Sequence, residues 1–112
     1  MAYVPARGDL IWLELDPQSG HEQAGKRPAL VVSHTAYNKK VGLALVCPVT
    51  SQKKSYPFEV DLPAGLPVVG VVLADQVKCL DWRARRASRI GAVAPSLLEQ
   101  VAARIVALIA DV

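Results

Sequence analysis

The sequence predicts one mainly β domain closed by a single C-terminal helix, folded as a small, strongly bent barrel or sandwich. Three observations lead there. Short apolar runs recur along most of the chain, each bounded by turn-forming residues. From Leu98 onward the apolar spacing changes to three- and four-residue steps, which is a helical period. The chain has 112 residues, 52% apolar and 21% charged, which suits a single domain and excludes a disordered one. No repeat, linker or low-complexity tract is visible, so residues 1–112 are taken as one domain.

The first strand is expected at Leu10–Leu15 (LIWLEL), between the turn-like Arg7-Gly8-Asp9 and Asp16-Pro17. A polar loop with two glycines, QSGHEQAGKR, follows. Pro28–Ser33 (PALVVS) is short, apolar and valine-rich, the pattern of a buried strand. Tyr37–Gly42 reads as a connection. Leu43–Val49 (LALVCPV) is the next strand, with Pro48 marking an edge or a bulge. Phe58–Leu62 alternates apolar and polar residues, as a half-buried strand does. Gly70–Val77 starts apolar and turns polar, and Ser88–Val93 is a final, weaker strand, so five to seven strands are expected. Leu98, Val101, Ala102, Ile105, Leu108, Ile109 and Val112 form one helical stripe. Two starts fit that helix: a capping box of Ser96 with Glu99, or Pro95 at the first helical position after Ala94.

Several function classes fall away. The longest apolar stretches, Val68–Ala74 and Val101–Ala110, fall short of the roughly 20 residues of a membrane span. MAYVPARGDL has neither the basic nor the apolar region of a signal peptide. Cys47 and Cys79 make no disulfide framework, so a cytoplasmic protein is expected. His21 and His34 lack metal-ligand spacing, and neither a metal nor a cofactor is expected. A Cys47–His34 nucleophile pair is conceivable. Inside an apolar strand, however, a cysteine reads as a small buried hydrophobe.

The net charge of +3 is unevenly spread. Arg83, Arg85, Arg86 and Arg89 cluster, and Lys26–Arg27, Lys39–Lys40 and Lys53–Lys54 form doublets at loops or loop edges. Clustered basic residues fit either an anionic partner such as nucleic acid or a solvated face. Arg27 stands just before an apolar strand and Thr50 just after one. Asp75 and Gln76 interrupt the apolar VVLADQV run, and Glu22 and Gln23 sit in the glycine-bounded loop. Each also has a plain structural reading, as a solvated arginine or a strand-ending threonine would.

Four segments together resemble the MazF/PemK toxin endoribonucleases, a family also called ChpA/ChpB or Kid. They are GDLIWLELDPQSGHEQAGKRPALVVS (8–33), LVCPVTSQKKSYPFEV (45–60), VVLADQVKCLDWRARR (71–86) and IGAVAPSLLEQV (90–101). They stand in family order and at family spacing, and residues 62–69 carry no such motif. The resemblance implies an SH3-like barrel (the CcdB/Kid/PemK fold) with a C-terminal helix, assembled as a homodimer. It implies cleavage of single-stranded RNA at short motifs without a metal, leaving a 2′,3′-cyclic phosphate and a 5′-hydroxyl. It also implies a cognate MazE-like antitoxin that blocks the site with an acidic C-terminal segment. The family's catalytic arginine falls on Arg27 in GKRP, its threonine on Thr50 in PVTS, and its acidic loop position on Glu22. RNA contacts are expected from Lys26, Lys53, Lys54, Asp75, Gln76, Arg83, Arg85 and Arg86. Related barrels poison DNA gyrase by binding it, so a non-catalytic module on the same fold is the alternative.

The chemistry suits these residue types. Attack of a ribose 2′-hydroxyl on the adjacent phosphate builds negative charge on the phosphoryl oxygens. A guanidinium offers a planar fork of donors to them and is charged near pH 7. A threonine hydroxyl can hold one non-bridging oxygen, as a donor of an oxyanion hole does. Glu22 or water takes the role of base, since an arginine is a poor one. His21 titrates in a useful range but lies at no position that the resemblance marks as catalytic. Trp12 and Trp82 belong to the core or to a dimer interface.

Overall fold

The three central strands of this chain are apolar on both faces because both faces are covered. The computed structural model describes residues 3–14 and 25–110. Its strands are β1 (Asp9–Glu14), β2 (Lys26–Val31), β3 (Leu43–Thr50), β4 (Glu59–Asp61), β5 (Val71–Leu73), β6 (Lys78–Asp81) and β7 (Ser88–Ala92). Two helices, α1 (Thr35–Val41) and α2 (Pro95–Ile109), and a 3-10 turn at Ala74–Gln76 complete the described elements. The strands pair antiparallel in the order β4-β5-β3-β2-β1-β7, and β6 pairs with β3.

Side chains alternate between two cores. Leu10, Leu30, Cys47, Val49 and Val72 face α2, which seals them with Leu97, Leu98 and Val101. Ile11, Leu13, Val31, Ala44 and Val46 face the other way and pack on Trp82. This two-sided burial explains why LIWL, PALVV and LALVC read as nearly continuous apolar runs. Trp82 is therefore a core residue, while Trp12 is half-buried against the first core.

β3 bends the sheet by changing partners. Leu43–Val46 pairs with β6, while Val49 and Thr50 pair with β5. Pro48 stands at that handover, where a residue without an N–H costs the ladder least. Gly70 precedes β5 at φ +129°, and a β-carbon there would lie 2.1 Å from the carbonyl oxygen of Thr50. Only glycine allows β5 to pass so close to the end of β3.

Three expectations need correction. Tyr37–Gly42 is the body of helix α1 rather than a plain connection. Asn38 is its one buried residue, so there is no apolar stripe to read, and Gly42 closes it in the left-handed conformation. Asn38 instead anchors a buried polar knot. Its Nδ2 donates to the carbonyls of Pro5 (2.9 Å) and Ser33 (3.2 Å). Its own carbonyl accepts from Trp82 Nε1 at 3.0 Å, and its Oδ1 accepts from the Ser33 hydroxyl. Next, the run at Gly70–Val77 is not one strand, because β5 stops at Leu73 and the 3-10 turn carries Asp75 and Gln76 outward. Finally, α2 starts at Pro95 with Ala94 as its cap and no side-chain capping bond, so the Ser96–Glu99 capping box is not used.

Candidate active site

β2 opens with exposed Lys26 and Arg27 before descending into the core at Ala29. β3 leaves the core at Val49 and ends at Thr50. The two strands pair Ala29 with Pro48, Leu30 with Cys47 and Val31 with Val46. Carried two residues further, that register sets Arg27 opposite Thr50. Both residues line a cleft of about 650 Å³, which Pro67, Val68 and Val69 also line. Thr50 is fixed at this mouth. Its Oγ1 accepts the N–H of Gln52 at 3.1 Å, so the hydroxyl proton remains to be donated.

A second cleft, of about 330 Å³, shares Thr50 and Gln52 with the first and adds Lys54, Tyr56, Glu59, Asp75 and Gln76. The Tyr56 hydroxyl donates to Asp75 Oδ1 at 2.8 Å. That bond, with a smaller share from desolvation, raises the phenol above its ordinary pKa and keeps it a donor. Thr50 thus stands where two clefts meet. One of them presents a guanidinium, and the other presents an ammonium, a phenol, two carboxylates and the Gln76 amide.

The expected site residues divide. Arg27 and Thr50 share the first cleft, and Thr50, Lys54, Asp75 and Gln76 share the second. Lys26 is exposed at the start of β2, and Lys53 pairs with Asp61 at 3.0 Å. Arg83, Arg85 and Arg86 lie in the turn after β6 and line neither cleft. Arg83 stacks 5.0 Å from the Trp82 ring, Arg85 donates to the Glu14 carbonyl, and Arg86 lies 3.9 Å from the Glu14 carboxylate. Glu22 and His21 lie outside the described residues. Cys47 is buried, and burial first, then the charge of Asp75, pushes its thiol up to about 12. It is a packed hydrophobe, not a nucleophile. Among the described residues, no three His, Cys, Asp or Glu side chains group as metal ligands. No helix among them is long and apolar enough to cross a membrane.

The chain matches, over residues 6–109, the family model described as PemK-like, MazF-like toxin of type II toxin-antitoxin system. It belongs to that toxin family. It is 54% identical over 107 residues to the endoribonuclease toxin MazF of Escherichia coli (strain K12), covering 96% of each chain. With the endoribonuclease toxin ChpB of the same strain it is 39% identical over 109 residues, covering 92% of each. The crystal structure of MazE-MazF (form II) from Deinococcus radiodurans matches with a TM-score of 0.91 at 53% identity, covering 96% of both chains. The seven-stranded antiparallel sheet with its C-terminal helix is the fold of these toxins, as the sequence leads one to expect.

Some cleft residues of this family member were not evident from sequence. Pro67, Val68 and Val69 fall in the segment without a family motif, yet they wall the first cleft. Tyr56 and Glu59 line the second. An aromatic residue two places from a lysine pair was the available signal for Tyr56. Glu59 looked like the solvent-facing position of an alternating strand.

Proposed function

We propose that the protein is an endoribonuclease toxin that cuts single-stranded RNA at short motifs by internal attack of a 2′-hydroxyl on its neighbouring phosphate. The new bond joins the 2′-oxygen to phosphorus, the bond to the 5′-oxygen breaks, and the products are a 2′,3′-cyclic phosphate and a 5′-hydroxyl. No metal takes part. Arg27 neutralises the charge that grows on the non-bridging oxygens and gives a proton to the leaving 5′-oxygen. Thr50 holds one of those oxygens through its free hydroxyl proton. Glu22 or a water molecule takes the proton of the 2′-hydroxyl. The single observation that carries this reading is the meeting of Arg27 and Thr50, from separate strands, at one open cleft.

The second cleft extends the site along the strand. Lys54 meets a flanking phosphate there, and Asp75 and Gln76 meet base edges. Lys26, Lys53, Arg83, Arg85 and Arg86 supply a wider basic field for RNA and for the acidic tail of a MazE-like antitoxin. The toxin works as a homodimer in the cytoplasm, where its RNA is found. Incubation with single-stranded RNA in excess chelator tests the reading. Cleavage with cyclic-phosphate ends is expected. Intact RNA, or cleavage only after adding a divalent metal, would overturn it and favour the binding-only alternative.

A further inference from the structure

The segment between β3 and β4 has no regular secondary structure, yet each residue from Lys53 to Phe58 has a tether of its own. Lys53 Nζ reaches Asp61 at 3.0 Å. The backbone N–H of Lys54 donates to Glu59 Oε2 at 2.9 Å, and that of Ser55 to Glu59 Oε1 at 2.8 Å. Tyr56 is held at both ends, its hydroxyl on Asp75 and its carbonyl on the N–H of Glu59 at 3.1 Å. Arg104 of α2 donates from Nε to the carbonyl of Pro57 at 2.9 Å. Phe58 accepts from the N–H of Ala74 at 3.0 Å.

One residue makes three of these bonds. Glu59 caps two consecutive amides with its two carboxylate oxygens, both charge-assisted bonds, and holds the next residue with its own N–H. Immediately after the second capped amide the chain is strained, because Ser55 sits at φ 60°. A left-handed serine costs about 1–2 kcal/mol and persists only where its surroundings hold it. The Glu59 carboxylate bonds the amide at which that strained rotation begins. Lys54 and Tyr56, the residues flanking Ser55, both line the second cleft beside Thr50.

We propose that Glu59 is a positioning residue for RNA cleavage, whose carboxylate keeps Lys54–Tyr56 folded as a preformed wall of the second cleft. The proposal rests on the endoribonuclease reading above. Glu59 neither donates nor takes a proton in the reaction. It spares the substrate the cost of ordering the loop, a cost that otherwise appears in binding. Removing it loosens substrate capture and leaves the bond-breaking step, at Arg27 and Thr50, intact.

The test compares wild type, Glu59→Ala, Ser55→Gly and the double variant, all as the full chain. Steady-state cleavage of a single-stranded RNA oligonucleotide gives KM and kcat. Amide exchange followed by NMR reports on Lys54 and Ser55. Glu59→Ala is expected to raise KM about tenfold, since only part of the energy of two exposed charge-assisted bonds goes into ordering the loop for its substrate. Its kcat should stay within about twofold, since the transition-state contacts are unchanged. The Lys54 and Ser55 amides should exchange faster while amides of β1–β3 keep their protection. Adding Ser55→Gly should bring KM part-way back, because glycine takes the left-handed conformation without strain. A purely chemical role for Glu59 would show no such rescue. A fall in kcat at unchanged KM would overturn the proposal, as would an unchanged KM or a loss of protection spread over the whole molecule. Wild type that fails to cut RNA defeats the endoribonuclease reading instead, and exchange at Lys54 and Ser55 still decides whether Glu59 holds the loop.

Discussion

Replacing Gly70 with alanine asks how tightly Thr50 must be held. A β-carbon at position 70 would stand 2.1 Å from the Thr50 carbonyl oxygen, 2.8 Å from its carbon and 3.0 Å from the Ser51 α-carbon. Comfortable carbon contacts lie at about 3.5–4.0 Å, so the backbone must move by roughly an ångström. All three atoms are main chain, so no rotamer change offers an escape. The φ of +129° adds strain for any side chain. Overpacking of this kind costs about 1–3 kcal/mol. For a domain of this size that lowers the melting temperature by about 4 °C per kcal/mol. The larger effect should be on catalysis, because a misplacement of about an ångström at a reacting group costs about 100-fold in rate. Circular dichroism melts give the stability, and single-turnover cleavage well below the variant's melting temperature gives the rate. RNA binding should persist, since Arg27 stands on a different strand. Cleavage at the wild-type rate by folded Gly70→Ala protein would refute the idea that Gly70 fixes Thr50.

Other outcomes follow from the same geometry. Thr50→Ala should lose about 2–4 kcal/mol of transition-state stabilisation, the worth of one oriented donor, and Thr50→Ser should keep part of the activity. Cleavage rates of the two variants side by side check this. Asn38→Ala strips partners from the Pro5 and Ser33 carbonyls and the Ser33 hydroxyl, and should cost about 3–5 kcal/mol. The urea midpoint should fall accordingly, with unchanged cleavage per folded molecule. An acidic peptide that competes with RNA should bind more weakly as salt rises, because exposed charge pairs are screened. Affinity flat across salt would assign the contact to apolar groups. Light scattering at micromolar concentration should give the mass of two chains, and the mass of one would contradict the homodimer.

Legibility in the sequence followed burial. β1, β2 and β3 announce themselves because their residues are buried on both faces, leaving apolar runs that nothing else explains. α2 shows its stripe because Leu97, Leu98 and Val101 close the first core. The stripe misleads at its far end, where Leu108 and Ile109 are exposed. α1 and β6 leave no such trace. α1 buries only Asn38, and β6 is an edge strand with three of its four residues exposed. The candidate site was half legible. Arg27 and Thr50 sit in motifs tied to strand ends, and one ladder register brings those ends together. Gly70, Glu59 and the wall at Pro67–Val69 matter through close approach and backbone hydrogen bonds, which leave no pattern in a single chain.

The most direct test is cleavage of single-stranded RNA by Arg27→Ala in the presence of chelator, with Arg27→Lys alongside. Arg27 is exposed at the mouth of β2, so both variants should melt close to wild type. Arg27→Ala should show no cleavage above background. Arg27→Lys should be severely impaired, since an ammonium lacks the planar fork that matches phosphoryl oxygens. RNA binding should survive better than cleavage in both, because the remaining basic residues still meet phosphates. Cleavage by Arg27→Ala at the wild-type rate, with contaminating nuclease excluded, would contradict the assignment of the reacting phosphate to the cleft between Arg27 and Thr50.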